Sequence, residues 1–130
     1  MKYQQGFTVL EAVIAIALVS FVGLIVVSEQ SALNSIHRDQ ERKASVNKIH
    51  ATLEEIVKPA VKGYPRILSR ESLRDAVETT ELSDPRGNKI NTPLSDYRYQ
   101  PTGCDGGDIC TGYTLSATLE RERDFVRTDG

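Results

Sequence analysis

An uninterrupted apolar stretch near the N-terminus constrains this chain more than any other feature. Residues 7–27 contain one charged side chain, Glu11, whereas the later part of the 130-residue chain is polar and rich in charge. A helix over this stretch would be about 31 Å long, close to the thickness of a bilayer core. The sequence therefore predicts one membrane-spanning helix, with the remaining residues outside the bilayer.

The residues before the apolar stretch form a short polar segment, residues 1–6, and the apolar side chains begin abruptly at Phe7. An ordinary secretory signal is cut after its apolar region, at small residues. The candidate position near Ser28 fits that pattern poorly. A plain signal anchor is the alternative, but it leaves Glu11 without a role.

Glu11 places a carboxylate inside the predicted membrane helix. Such a residue costs about 2.5–3.5 kcal/mol at the bilayer centre on insertion scales, so it indicates a function. Cleavage between Gly6 and Phe7 would create an α-amine one helical turn before Glu11, where it could pair with the carboxylate of the same or a neighbouring chain. The helix macrodipole also favours an acid in the first turn. The cleavage and the buried acid therefore explain each other.

Residues 6–11, with the sequence GFTVLE, are followed directly by the apolar stretch. This pattern resembles the processing site of type IV prepilins and pseudopilins, the class III prepilin leader. In that family a membrane peptidase cuts after the glycine and methylates the new N-terminal phenylalanine. The resemblance therefore implies that the cut follows Gly6, that Phe7 is methylated, and that Glu11 is the acid needed for assembly.

The resemblance also implies a role and a set of partners. The favoured hypothesis is a structural subunit of a type IV pilus, which supports motility, adhesion or DNA uptake. Such a subunit polymerises with copies of itself and meets the prepilin peptidase, an inner-membrane assembly platform, minor pilins and membrane lipid. It crosses the membrane once, with its head outside the cytoplasm, before it enters an extracellular pilus.

Two alternative functions stay open at this point. A pseudopilin that drives type II-like secretion or DNA uptake would share the same N-terminal pattern. A membrane-anchored adhesin head that never polymerises is the other alternative, but it would need neither the cleavage site nor Glu11.

Residues 28–62 continue the helix with a different pattern. Six basic and five acidic residues separate apolar residues that recur mostly at three- and four-residue steps, as in an amphipathic helix. These apolar residues are Leu33, Ile36, Val46, Ile49, Leu53, Ile56 and Val57. Lys58 precedes a proline and is expected to end the helix, because such residues disfavour helical dihedral angles.

Charged and titratable side chains on this helix are expected to face solvent. The mixed charges of residues 38–43 are most simply a solvated helix face, and pairing across the subunits of a filament is the alternative. His37 and His50 lie too far apart in the helix to act together as metal ligands, so both are predicted to face solvent.

Residues 63–130 form the predicted globular head. Ser69 or Ser72 is expected to cap a short helix that continues to Val77. A turn is expected at residues 84–88, where proline and glycine suit sharp geometry.

Three segments of the head have strand patterns: residues 96–99, 112–120 and 124–127. Apolar and polar residues alternate most cleanly in the second of them. Three or four antiparallel strands packed on the second half of the helix would bury both apolar faces. The predicted fold is therefore α+β, with a long N-terminal helix whose first half is transmembrane, and this order of elements resembles the type IV pilin fold.

Cys104 and Cys110 are the two cysteines of the chain, with five residues between them. In a head outside the cytoplasm this pair predicts a small disulfide loop, and two free cytosolic thiols are the alternative. Inside the loop, Asp105 and Asp108 offer oxygen ligands of the kind that Ca²⁺ prefers. A simple polar turn has the same composition, so calcium is a weak candidate and no other cofactor is expected.

Two family-specific features of the head favour different functions. The disulfide-closed loop resembles pilins more than secretion pseudopilins. Residues 84–88, DPRGN, are instead similar to the aspartate-proline-x-glycine turn of major pseudopilins of type II secretion, with Arg86 where that family usually has tryptophan.

Enzymatic and nucleic-acid-binding functions find little support in the sequence. No histidine follows His50, which removes Ser–His catalysis and Cys/His zinc sites from the head. The head carries nine Arg or Lys against twelve Asp or Glu, so no basic face for nucleic acid is evident. The chain is therefore predicted not to be an enzyme.

Overall fold

The computed structural model describes residues 6–130. The predicted leader, residues 1–6, thus lies outside the described residues except for Gly6. The chain forms two compact units, one that ends at Ser35 and one that spans Ile36–Gly130.

A helical stretch begins in the first unit and ends in the second. It consists of α1 (Val9–Thr52), a π-helical turn (Leu53–Val57) and α2 (Lys58–Val61). The helix is long and apolar enough near the N-terminus to cross a membrane, judged by length and composition. The large apolar side chains from Phe7 to Val27 are exposed, so this surface needs lipid or another protein chain to cover it.

The predicted helix end at Lys58 is wrong, because Pro59 lies inside the helical stretch, in the first turn of α2. In a regular α-helix its ring would clash with the carbonyl of Glu55, four residues earlier. The π-helical turn widens the backbone here, and the N–H of Lys58 bonds to the carbonyl of Leu53, five residues before it. The helical stretch ends only at Lys62, which has a left-handed φ of 56°.

The second unit contains short antiparallel strands. These are β1 (Tyr64–Pro65), β2 (Tyr97–Thr102), β3 (Ile109–Cys110), β4 (Gly112–Ala117) and β5 (Phe125–Thr128). Strands β2, β4 and β5 form a three-stranded sheet with β4 in the centre, and β1 pairs with β3. The predicted α+β arrangement of a long helix followed by a small antiparallel sheet is confirmed.

One face of the helical stretch and one face of the three-stranded sheet form the core of the second unit. Every third or fourth residue of the helix contributes a buried side chain to this core, and so does every second residue of β2 and β4. The buried residues are Val46, Ile49, Leu53 and Val57 from the helix and Tyr97, Tyr99, Tyr113, Leu115 and Ala117 from the sheet. Leu33, Ile36 and Ile56, which were predicted on the same apolar face, are exposed.

The short helix predicted within residues 69–77 is wrong, because the structure has turns there. The hydroxyl of Ser69 accepts the N–H of Ser72 at 3.0 Å, and the Ser72 hydroxyl accepts the N–H of Ser69 at 2.8 Å. This capping geometry starts one turn, but Arg74 and Asp75 adopt left-handed φ values of 54° and 57°. A right-handed helix cannot continue through two such residues.

Leu115→Ala tests the core between helix and sheet. Leu115 is fully buried, and truncation of such a leucine costs about 2–5 kcal/mol of unfolding free energy. Thr114→Ala, on the opposite face of β4, is the matched control and should change stability by less than about 0.5 kcal/mol. Both changes in stability can be measured by urea unfolding of the full-length chain in detergent. Near-ultraviolet circular dichroism of the tyrosines detects the unfolding. Equal losses for the two variants would contradict the assignment of faces.

Candidate functional site

Thr8 organises the start of the helix. Its hydroxyl oxygen accepts a hydrogen bond from the backbone N–H of Glu11 at 3.2 Å, and its carbonyl accepts the N–H of Ala12 at 3.1 Å. Thr8 is thus the N-cap, and Glu11 is the third residue of the helix. This role of Thr8 was not predicted from the sequence, although the threonine-x-x-glutamate spacing is a capping-box signal.

Gly6 and Phe7 precede the helix and lie in no regular secondary structure. Both residues and Glu11 are exposed, and no atom lies within 4 Å of the position where a Cβ of Gly6 would stand. Glu11 lies in the first turn, where the partial positive charge of the helix end favours a carboxylate.

A cluster of buried charges lies in the second unit, where a solvated helix face was predicted. Arg42 is fully buried, and Asp39 is only 3% exposed. The Arg42 guanidinium bonds to Asp39 at 2.9 Å, to Asp96 at 2.7 Å and to Glu120 at 3.0 Å. The prediction of a solvated face is therefore wrong for these two residues, since three carboxylates replace the water around the cation.

Asp39 extends the cluster to the backbone of the connection between β4 and β5. Its carboxylate accepts the N–H groups of Glu120 at 2.9 Å and Arg121 at 3.1 Å. Burial alone raises the pKa of Asp39, but these two N–H groups and the Arg42 guanidinium outweigh it, so the pKa lies below its usual value.

Glu120 is held from the helix by a second arginine. Arg38 binds both of its carboxylate oxygens at 2.7 Å, the bidentate geometry that suits a guanidinium. Hydrogen bonds from Arg38, followed by those from Arg42, outweigh the opposing effect of desolvation and lower the pKa of Glu120 to about 2. The cluster thus ties the helix to the end of the sheet through ionised side chains.

Asp84 organises the turn predicted at residues 84–88, and that turn is confirmed by the bond from the N–H of Gly87 to the Asp84 carbonyl at 2.8 Å. The buried carboxylate of Asp84 accepts the N–H groups of Asn88 at 2.9 Å and Asp96 at 3.1 Å. Burial alone raises the pKa of Asp84, but these hydrogen bonds lower it below its usual value. Asp84 is therefore a structural carboxylate that joins the turn to the start of β2.

The disulfide between Cys104 and Cys110 is present. Cys110 is buried and belongs to β3, so the bond anchors the loop to the head. Asp105 and Asp108 are exposed on this loop. Among residues 6–130 no group of three or more His, Cys, Asp or Glu side chains is placed to hold a metal ion, and the two loop aspartates form no such group.

His50 does not face solvent as predicted. It is half-buried, and its Nδ1 lies 2.5 Å from the hydroxyl of Tyr113. That hydroxyl donates to Glu54 at 3.3 Å, and Tyr64 donates to the same carboxylate oxygen at 2.8 Å. His37 is exposed beside Glu41, which agrees with the prediction. The polar groups around His50 thus bridge the helix and the sheet.

Asp39→Asn tests the buried cluster through its pH dependence. A carboxyl whose pKa is lowered by folding stabilises the fold fully above its unfolded pKa, about 3.9, and this stability is lost as the pH falls through the folded pKa. The free energy of unfolding of the variant should therefore be about 1–3 kcal/mol lower than that of wild type at pH 7. This difference should shrink as the pH falls below about 4. Urea unfolding of both proteins at pH 7 and pH 3 measures this difference.

The exposed carboxylate of Glu41 provides the control on the same helix. Glu41→Gln should stay within about 0.5 kcal/mol of wild type at both pH values. A loss for Asp39→Asn that is independent of pH would contradict the role of its ionised form.

The N-terminal segment matches a known family of processed proteins. The family model described as the prokaryotic N-terminal methylation motif matches residues 1–27. No solved structure matched the chain. The matched segment covers GFTVLE and the whole apolar stretch, so it contains Gly6, Phe7 and Glu11 together. The N-terminal segment of this chain is therefore similar to the prokaryotic N-terminal methylation motif, which the class III prepilin leader of type IV pilins and pseudopilins carries.

Proposed function

We propose that this chain is a structural subunit of a type IV pilus. The match of residues 1–27 to the methylation motif carries the proposal. In this proposal the prepilin peptidase cuts after Gly6 and methylates Phe7, and the mature chains polymerise through their N-terminal helices. The role is structural, so no catalytic residue is assigned to the chain.

The exposed apolar surface of α1 supports polymerisation. Its large side chains from Phe7 to Val27 are exposed. Lipid covers such a surface while the chain is in the membrane, and the helices of neighbouring subunits can cover it afterwards. We assign residues 7–27 to this environment, residues 28–62 to the helix that continues into the head, and residues 63–130 to the head itself.

Glu11 is the proposed assembly residue. Cleavage after Gly6 leaves an α-amine on Phe7, and a carboxylate in apolar surroundings is stabilised strongly by a nearby cation. Glu11 is exposed, so a neighbouring chain can bring its own amine to it. This contact would select one axial position of each subunit against the next, because any other position leaves a charge unpaired in an apolar environment.

The proposed partners follow from this route. They are copies of the same chain, the prepilin peptidase, the inner-membrane assembly platform, minor pilins and membrane lipid. The head would lie outside the cytoplasm before assembly, where its disulfide is stable, and on an extracellular pilus afterwards.

A pseudopilin is the second candidate function. The observation in its favour is the turn at residues 84–88, whose buried Asp84 carboxylate bonds the backbone of the turn and of β2. A subunit of this kind would drive protein secretion or DNA uptake. Electron microscopy of the cell surface separates the candidates, because long filaments of this subunit support the pilus and argue against a pseudopilus.

Gly6→Ala tests the processing site. Intact mass of the wild-type protein from the cell envelope should show loss of residues 1–6, one added methyl group and the loss of two hydrogens for the disulfide. The variant should keep its leader and form no filament, because a Cβ at this position blocks the peptidase. A wild-type chain that keeps Met1, or that is cut near Ser28, would exclude the proposed processing.

Glu11→Gln tests assembly separately from processing. The variant keeps the shape of the side chain but cannot form an ion pair, so it should be cleaved and methylated normally yet yield at least about tenfold less filament. Glu29→Gln removes an exposed carboxylate further along the same helix and should leave the yield unchanged. Sheared filaments, quantified by immunoblot, provide the measurement. Normal filament yield for Glu11→Gln would exclude its role in assembly.

A further inference from the structure

A cavity of about 450 Å³ lies in the head, between the end of the helical stretch and the disulfide loop of residues 104–110. Its walls are mainly apolar and come from the helix, from the segment around β1 and from β3. The apolar residues that line it are Val57, Val61, Pro65, Ile67 and Ile109. Small-molecule sites have volumes of about 300–1,000 Å³ and a mostly apolar lining with a few polar groups. The cavity therefore has the size and the lining of a ligand site.

The wall that the disulfide loop forms is held in place by close contacts. The N–H of Arg66 bonds to the carbonyl of Asp108 at 2.8 Å, and the disulfide closes the loop itself. Gly63 lets this wall approach the end of the helix, because a Cβ there would lie 2.5 Å from the Ile109 side chain and 2.7 Å from the Cys110 carbonyl oxygen. The cavity is thus formed before any ligand arrives, which favours binding.

Another wall of the cavity contains a strained turn. Arg74 lines the cavity, and Arg74 and Asp75 both have left-handed φ values, 54° and 57°. This conformation is unfavourable for residues other than glycine. Residues held in it are concentrated at active sites and ligand-binding sites. The strain therefore supports a binding role for this part of the head.

Four charged side chains, two of each sign, line the same cavity. They are Arg66, Arg74, Glu71 and Asp108, and all four residues are exposed. Arg66 donates one N–H to the carbonyl of Gly107 at 3.5 Å. Within residues 6–130 none of the four side chains forms an ion pair. The cavity thus carries cations and anions that are not neutralised by one another.

We propose that this cavity binds a short peptide with free termini and large apolar side chains. Arg66 and Arg74 hold the C-terminal carboxylate, since a guanidinium matches a carboxylate in charge and geometry. Glu71 and Asp108 hold the N-terminal ammonium. The apolar side chains of the peptide cover the apolar walls, including Ile67, which is 76% exposed.

The charges of the cavity favour this class of ligand over simpler ones. An uncharged apolar ligand would leave all four charged side chains without a partner. A simple anion would meet two carboxylates, and a simple cation would meet two guanidinium groups. A peptide with free termini complements both signs and the apolar walls together. The inference uses the head alone and does not rest on the proposed pilus function.

Leucyl-leucine, titrated by calorimetry into the full-length chain in lipid nanodiscs, tests the proposal. Nanodiscs replace detergent because detergent binds to apolar cavities. The dipeptide should bind with a Kd below about 1 mM, after subtraction of the heat from empty nanodiscs. Ile67→Ser should raise this Kd at least about fourfold, because it removes apolar cover from the ligand. Leu94→Ser is the matched control, since Leu94 is 77% exposed and lies outside the cavity, and it should leave the Kd unchanged.

Capped peptides test the two charged ends separately. Arg74→Gln should weaken the binding of leucyl-leucine at least about threefold. It should not weaken leucyl-leucine amide, which has no carboxylate. Glu71→Gln should likewise weaken leucyl-leucine but not its N-acetyl form, which has no ammonium. Arg123→Gln removes an exposed arginine outside the cavity and should change none of these Kd values.

Three results would overturn the proposal. The first is a Kd of leucyl-leucine above about 1 mM. The second is an equal effect of Ile67→Ser and Leu94→Ser, and the third is equal weakening of the free and the capped peptides by Arg74→Gln or Glu71→Gln. Near-ultraviolet circular dichroism of each variant verifies that the head is folded.

Discussion

The ion cluster around Arg42 holds together the parts of the head that are far apart in the sequence. One guanidinium joins the helix to the start of β2 through Asp96 and to the connection after β4 through Glu120. Removing a cation from water costs several kcal/mol, which three surrounding carboxylates offset only in this geometry. Any other placement of the sheet on the helix would leave a buried charge unpaired. The cluster therefore selects one packing of sheet against helix, while the apolar core supplies the burial.

The head and the N-terminal segment meet different physical demands. The head buries its own apolar residues between helix and sheet, and its turns and loop are held by Asp84 and by the disulfide. The N-terminal part of α1 exposes its apolar side chains. A surface of that kind is stable only in lipid or against other chains. The two parts of the chain therefore differ in what covers their apolar side chains: the head covers its own, and the N-terminal part needs lipid or another chain.

Local sequence signals predicted much of this protein. The apolar stretch of residues 7–27 and the GFTVLE pattern indicated the long apolar helix and the methylation motif, and both depend on residues close together in the chain. The alternation within residues 112–120 predicted β4, and the cysteine spacing predicted the disulfide. Two of the failures were local as well. Pro59 was predicted to follow the helix end, but a π-helical turn accommodates it, and left-handed residues replace the short helix at residues 69–77.

The buried charges mark the limit of sequence analysis. Arg42 and Asp39 sit in a charged segment whose composition matches a solvated helix face, and their partners Asp96 and Glu120 lie 54 and 78 residues from Arg42. No local pattern reports a contact over such distances. The sequence by itself determined the long apolar helix, the methylation motif and the antiparallel sheet that follows the helix, because periodicity and short motifs are local. Only the tertiary structure decided which charges are buried, because burial depends on contacts between distant segments.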